Sequence, residues 1–178
     1  MSAYLKDYFS MVSEREKLGV APLSLNEEQT KAVCELLKQP PLDSDKDFLY
    51  LLKNRVNPGV DKSSKVKADF LYDIACGKSV SPLIDKKLAV EMLGQMRGGY
   101  NVSYLVALLD DNNLALEAQQ ALEQTLLVYS AFDDVLDKAN QGNVYAKAVI
   151  DSWAQAKWFI NAPKFPECMT LKVFKVEG

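Results

Sequence analysis

The sequence predicts an all-α fold of short helices laid in antiparallel pairs, followed by one extended segment. Three observations predict it. Apolar residues recur at helical spacing through nearly all of the first 160 positions. Clusters of Pro, Gly, Asn and Asp interrupt that pattern at short intervals, each a place to reverse the chain. An internal echo joins them: Leu51, Arg55 and Val60 recur 42 residues later as Leu93, Arg97 and Val102. That period fits helix-pair repeats of the HEAT or armadillo kind, stacked into an α–α superhelix. A closed helical bundle is the alternative arrangement of the same helices.

The first helix carries Tyr4, Leu5, Tyr8, Phe9, Met11 and Val12 on one stripe and ends near Gly19, with Pro22 beyond it. Asn26-Glu-Glu-Gln29 opens the second as a capping box: Asn26 accepts a backbone N–H and Gln29 reaches back. Its buried face is Ala32, Val33, Leu36 and Leu37, and Pro40-Pro41 stops it. A short helix from about Asp45 buries Phe48, Leu49, Leu51 and Leu52. Pro58-Gly59 then turns the chain, and Asp61 is placed to cap a helix that starts at Lys62. Val66, Phe70, Leu71, Ile74 and Ala75 form its inner face, with Gly77 as the stop.

Asp85 caps the next helix, whose apolar side is Leu88, Ala89, Met92, Leu93 and Met96. In "MRGGYN" (96–101), Gly98-Gly99 supplies the positive φ angles that end a helix, and Asn101 is the expected cap of its successor. Four more helices follow, at roughly 101–111, 113–129, 131–141 and 143–160, the last two divided by Gln141-Gly142-Asn143. Beyond Pro163 and Pro166 the pattern changes. Met169, Leu171, Val173 and Val176 alternate with mostly polar residues, which reads as a strand over 169–176. A lone strand has no sheet to join, so the expected organisation is a helical domain over 1–160, then a linker and the first strand of a second domain over 161–178.

Composition narrows the chemistry. Among 178 residues there is no histidine, which removes Ser-His and Cys-His nucleophile pairs, imidazole proton transfer and histidine metal ligation. The net charge is −3, and only Arg15, Arg55 and Arg97 are arginines, so no dense basic patch for nucleic acid is visible in sequence. Cys34, Cys76 and Cys168 are far apart and form no C-x-x-C; buried free thiols are the ordinary reading, a shared metal or iron–sulfur site the sharper one. An odd cysteine count without a secretory leader points to a reducing cytoplasm. The apolar runs are too short to span a membrane.

Several segments then stand together: "NRVNPGVD" (54–61), "KADFLYDIACGK" (67–78), "MRGGYNV" (96–102), "GNVYAKAVIDSWAQAKWF" (142–159) and "LKVFKVEG" (171–178). In this order they resemble the N-terminal region of bacterial aconitate hydratase B, and the similarity covers essentially the whole chain. The resemblance implies a HEAT-like domain, then a swivel domain that "VFKVEG" would open, then catalytic domains. It implies a parent lyase that interconverts citrate and isocitrate through cis-aconitate, with 2-methyl-cis-aconitate as a second substrate. A [4Fe–4S] cluster in that parent would serve as the Lewis acid. The cluster-ligating cysteines, substrate-binding side chains and catalytic base would all lie beyond residue 178, so no catalytic, cofactor-binding or metal residue is assigned in this chain. The implied partners are the swivel and catalytic domains of the same chain, an iron-dependent homodimer, other metabolic enzymes, and mRNA for the apo-enzyme.

The interface candidates are Arg55, Asn57, Arg97, Tyr100 and Asn101, at the two turns that the echo relates. Each arginine either satisfies carbonyls at a helix C-terminus or belongs to a polar rim facing a partner domain. Trp153, Trp158 and Phe159 read as core or as the seat of the following domain. Asp110-Asp111 and Asp133-Asp134 read as solvated helix ends, or as a weak iron site.

Overall fold

The computed structural model describes residues 3–41, 45–125 and 131–160. Among these residues the fold is all-α, with no strand. The helices are α1 (Ala3–Lys17), α2 (Glu27–Lys38), α3 (Asp45–Asn54), α4 (Lys62–Ala75), α5 (Lys86–Gly94), α6 (Val102–Leu108), α7 (Ala115–Glu123), α8 (Phe132–Asn140), α9 (Val144–Ala154) and α10 (Lys157–Ile160). The segment 169–176, Cys168 and the boundary expected at 161 lie outside the described residues.

Local sequence accounts for several helix ends. The capping box at α2 is complete: Asn26 Oδ1 accepts from the Gln29 N–H at 2.9 Å, and Gln29 Oε1 accepts from the Asn26 N–H at 3.0 Å. Asp85 accepts from the Leu88 N–H at 2.7 Å, and Asn143 from the Ala146 N–H at 2.9 Å. Gly19, Gly77 and Gly142 adopt positive φ where α1, α4 and α8 end.

Elsewhere tertiary contacts override the local expectation. Asp61 precedes α4 but makes no side-chain cap bond; its carboxylate accepts from Asn57 Nδ2 at 3.0 Å instead. Asn101 makes no cap bond to α6 either, because its amide is turned inward onto α5. The helix expected over 143–160 is two. It tightens at its end, where the Ala156 N–H reaches the Trp153 carbonyl, and restarts at Lys157. The helix expected over 113–129 starts at Ala115 and ends at Glu123, with Gln124 as its cap and Thr125 outside it; residues 126–130 lie outside the described set.

One apolar core runs from Leu5 in α1 to Val149 in α9. Leu37, Leu52, Leu71, Leu93, Leu105 and Leu122 are all fully enclosed in it, and each such side chain stabilises the fold by about 1.5–3 kcal/mol. Helix directions follow from the contacts. Ser24 and Asn57, just ahead of α2 and α4, are bonded, so those helices run in parallel. Lys87 and Glu117 pair near the starts of α5 and α7, while Gly94 and Ala121 meet near their ends, so these are parallel too. Asn143 before α9 bonds the Leu109 carbonyl before α7, and Trp153 at its end bonds the Leu122 carbonyl, which aligns α9 with α7. Between these two sets α4 and α5 pack antiparallel, across the short link through Gly77 and Lys86.

Candidate functional site: an edge made of turns

Because α4 and α5 are antiparallel, the turn that enters α4 lies beside the turn that leaves α5. Gly59 and Gly99 pair there as an isolated parallel bridge. A third turn joins on the other side: the Leu25 N–H donates to the Arg55 carbonyl at 2.7 Å, and Ser24 Oγ donates to Asn57 Oδ1 at 2.5 Å. The α1–α2, α3–α4 and α5–α6 connections thus form one continuous edge. Leu23, Val60 and Tyr100 are exposed along it.

The sequence-derived candidates take different places on this edge. Asn57 is exposed and rigidly held, since its side chain bridges Ser24 and Asp61 and its carbonyl accepts from Ser64 Oγ at 2.5 Å. Arg55 is half-buried, with its guanidinium 6.0 Å from the centre of the Tyr50 ring. Arg97 is exposed, and its guanidinium forms no ion pair or hydrogen bond with the described residues. Neither guanidinium bonds a helix-end carbonyl among the described residues, so the capping reading is corrected for both; Arg97 reaches the Gly94 carbonyl only through its backbone N–H. Tyr100 is exposed, and Lys65 Nζ stands 5.9 Å from the centre of its ring. Asn101 is 0% exposed. Its Nδ2 donates to the Leu93 carbonyl at 2.7 Å, which ties the turn to the last part of α5, while its Oδ1 has no partner.

The turn itself departs from the glycine-only expectation. Gly98 and Gly99 have positive φ, but so does Arg97, at 60°. A non-glycine residue in that region is strained by about 1–2 kcal/mol, and it stays there because Asn101 anchors the turn from behind and Gly99 wedges it against Gly59.

Beside the edge lies a network that sequence reading missed. Tyr72 of α4 and Tyr104 of α6 stack with centroids 4.3 Å apart and planes 9° from parallel. Tyr104 Oη donates to Asp69 at 2.5 Å, and Lys65 Nζ bonds the same carboxylate at 2.7 Å. The bond to Asp69 holds the Tyr104 phenol proton and raises its pKa, and it raises that of Lys65 as well. The i, i+4 spacing of Lys65 and Asp69 is legible in sequence; the meeting of Tyr72 with Tyr104 is not.

On the α5–α7 side is a groove of about 1010 Å³, lined among others by Asp85, Glu91, Gln95, Arg97, Gln120 and Gln124. The Lys87–Glu117 pair crosses it at 2.5 Å, raising the pKa of the lysine and lowering that of the glutamate by their hydrogen bond.

Little here fits an iron–sulfur cluster. Cys34 is enclosed within α2, and burial pushes its thiol up to about 12; Cys76 is exposed at the end of α4. No group of three or more His, Cys, Asp or Glu among the described residues could hold a metal ion. Asp110 is not merely solvated, since it pairs with Lys138 and accepts from Asn143 Nδ2 at 3.0 Å. Trp153 stacks on Phe132, with centroids 6.0 Å apart, and bonds the Leu122 carbonyl; the side chains of Trp158 and Phe159 lie outside the described set. No described helix is long and apolar enough to cross a membrane.

A family profile described as the aconitate B N-terminal domain matches residues 7–159. Aconitate hydratase B of Pseudomonas aeruginosa is 51% identical over 174 residues, and that of Escherichia coli is 49% identical over the same length. The Synechocystis protein of that name is 51% identical over 176 residues. Each alignment covers 98% of this chain and 20% of the relative, so the chain spans about a fifth of the length of the proteins it matches. The chain belongs to the aconitate hydratase B family, whose N-terminal domain it matches.

Proposed function

We propose that the chain is the N-terminal helical part of a lyase that interconverts citrate and isocitrate through cis-aconitate in the cytoplasm. Family membership over residues 7–159 carries this reading. The cofactor of that parent would be a [4Fe–4S] cluster. Of the two described cysteines, Cys34 is enclosed in α2 and Cys76 stands just past the end of α4, so the ligands would come from later parts of the polypeptide.

Within that enzyme the domain acts as a docking wall. The turn edge faces the swivel and catalytic domains and shapes the approach to the active site. The supporting observation is the bonded alignment of three turns, each of which exposes an apolar or aromatic side chain: Leu23, Val60 and Tyr100. Tyrosine is a favoured anchor at interfaces because it buries a large area with little loss of conformational freedom. The parallel run of α5, α7 and α9 supports a HEAT-like helix-pair repeat, with the antiparallel α4–α5 step as its irregularity. Iron-dependent dimerisation, contact with other metabolic enzymes and mRNA contact by the apo-enzyme are further proposals from the same membership. Sedimentation with and without Fe(II) tests the first.

The test of the wall is Tyr100→Ala combined with Val60→Ser in the full-length enzyme. The fold should lose less than about 1 kcal/mol, as at ordinary surface positions, while citrate turnover or its KM changes several-fold. Unchanged kinetics in a folded double variant would refute it.

A further inference from the structure

The chain leaves α5 through a different residue type from the one it uses elsewhere. After α1, α4 and α8 the first left-handed residue is a glycine: Gly19, Gly77 and Gly142. After α5 it is Arg97, at φ 60°, although glycines follow at 98 and 99. Glycine takes that conformation freely and arginine does not. A side chain kept where glycine would be more stable points to a use for it.

None of the described residues supplies that use. The guanidinium is exposed and makes no bond among them. The carboxylates that share the α5–α7 groove with it are engaged elsewhere. Asp85 caps the Leu88 N–H, Glu91 accepts from Gln95 Nε2 at 3.0 Å, and Glu117 pairs with Lys87.

A guanidinium has N–H donors in a planar fork and no acceptor, so its match in a protein is a carboxylate. A single exposed charge pair strengthens binding by no more than about fivefold, too little to hold a free small anion. The same pair becomes effective when its partner is tethered, because the contact then forms within one molecule at high effective concentration. This chain covers 20% of the length of its relatives, so in them most of the polypeptide remains to supply such a partner. Apolar cover is close by: Tyr100 belongs to the same turn, and Val60 follows the Gly59 that bridges to Gly99. We propose that Arg97 is an interdomain anchor, paired with an Asp or Glu from the later part of the same polypeptide. This rests on the docking-wall reading and adds a charged contact to it.

The test is Arg97→Lys in the full-length enzyme, treated with a water-soluble carbodiimide and analysed by peptide mapping. That reagent joins an amine to a carboxylate only where the two already touch. The substitution keeps the charge, and the backbone demand at position 97 is unchanged, so the fold should hold. The introduced lysine should be joined to an Asp or Glu beyond residue 178 of the same molecule. Lys65 and Asp69, in contact at 2.7 Å, should be joined in the same digest and show that the reagent reached the folded protein. A link to Asp85, Glu91 or Glu117, a link to a second molecule, or none at position 97 would overturn the proposal. Hydroxyl-radical footprinting reports the wall separately. There Tyr100 should be oxidised more slowly relative to Tyr50 than their exposures here, 38% and 53%, would give. Protection of Tyr100 without the link would leave the wall standing and remove Arg97 from it. Neither protection nor link would remove both.

Discussion

Gly59 and Gly99, forty positions apart, touch through their backbones: a Cβ built on Gly99 would lie 2.4 Å from the Gly59 carbonyl oxygen. The two turns are paired as a parallel bridge, and both glycines have positive φ. Close approach and backbone conformation are separate demands, and they fall unequally on the pair. Gly99 bears both, whereas a Cβ on Gly59 would meet nothing within 4 Å.

The consequence is an asymmetry in alanine substitutions. Gly59→Ala should cost about 1 kcal/mol, the strain of positive φ alone. Gly99→Ala must in addition push one turn off the other, and should cost about 2–4 kcal/mol. Urea unfolding of both variants checks this, and equal costs would mean that the bridge contributes nothing.

At the α5–α7 crossing, Gly94→Ala should destabilise by about 1–3 kcal/mol through overpacking, despite the gain in helix propensity. The close atom is the Ala121 Cβ. Ala121→Gly should therefore relieve the clash. A double-mutant cycle should show coupling of at least about 1 kcal/mol, and additive effects would exclude direct contact.

Lys67 gives a pH prediction. It is buried, its Nζ donates to the Lys53 carbonyl at 3.3 Å at the end of α3, and burial lowers its pKa from 10.5 to about 8. Between those two values the unfolded chain keeps a proton that the folded chain has released, so stability rises with pH through that window. Below it both states are protonated and the cost of the buried charge is fully present. Lys67→Met removes this dependence. Its stability advantage over the native chain should shrink by about 1–3 kcal/mol between pH 7 and pH 10, as followed by chemical denaturation at each pH.

Asn101→Ala should cost about 1–3 kcal/mol, because the Leu93 carbonyl loses its buried donor. Asn101→Asp should cost more, since a carboxylate cannot donate to that carbonyl and its charge would be enclosed near a helix C-terminus. Thermal unfolding ranks the two variants, and an Asp at least as stable as Ala would show that the side chain reaches water.

The sequence by itself determined the helices, several of their ends and the family. Asn26, Asp85 and Asn143 cap as their spacing dictates, because a cap satisfies a backbone N–H only two or three residues away. The apolar stripes likewise carry their own period. Asp61 and Asn101 look identical at that range, yet the first turns to Asn57 and the second is drawn inward to Leu93. Their choices depend on which turn lies alongside, and that is set by the antiparallel packing of α4 on α5. Only the tertiary structure decided that Gly59 meets Gly99, that Tyr72 stacks on Tyr104, and that Arg97 takes the strained conformation beside two glycines. Those contacts join residues tens of positions apart, where helix crossing and the small size of residues such as Gly94 fix the distances, and no local pattern in the chain encodes them.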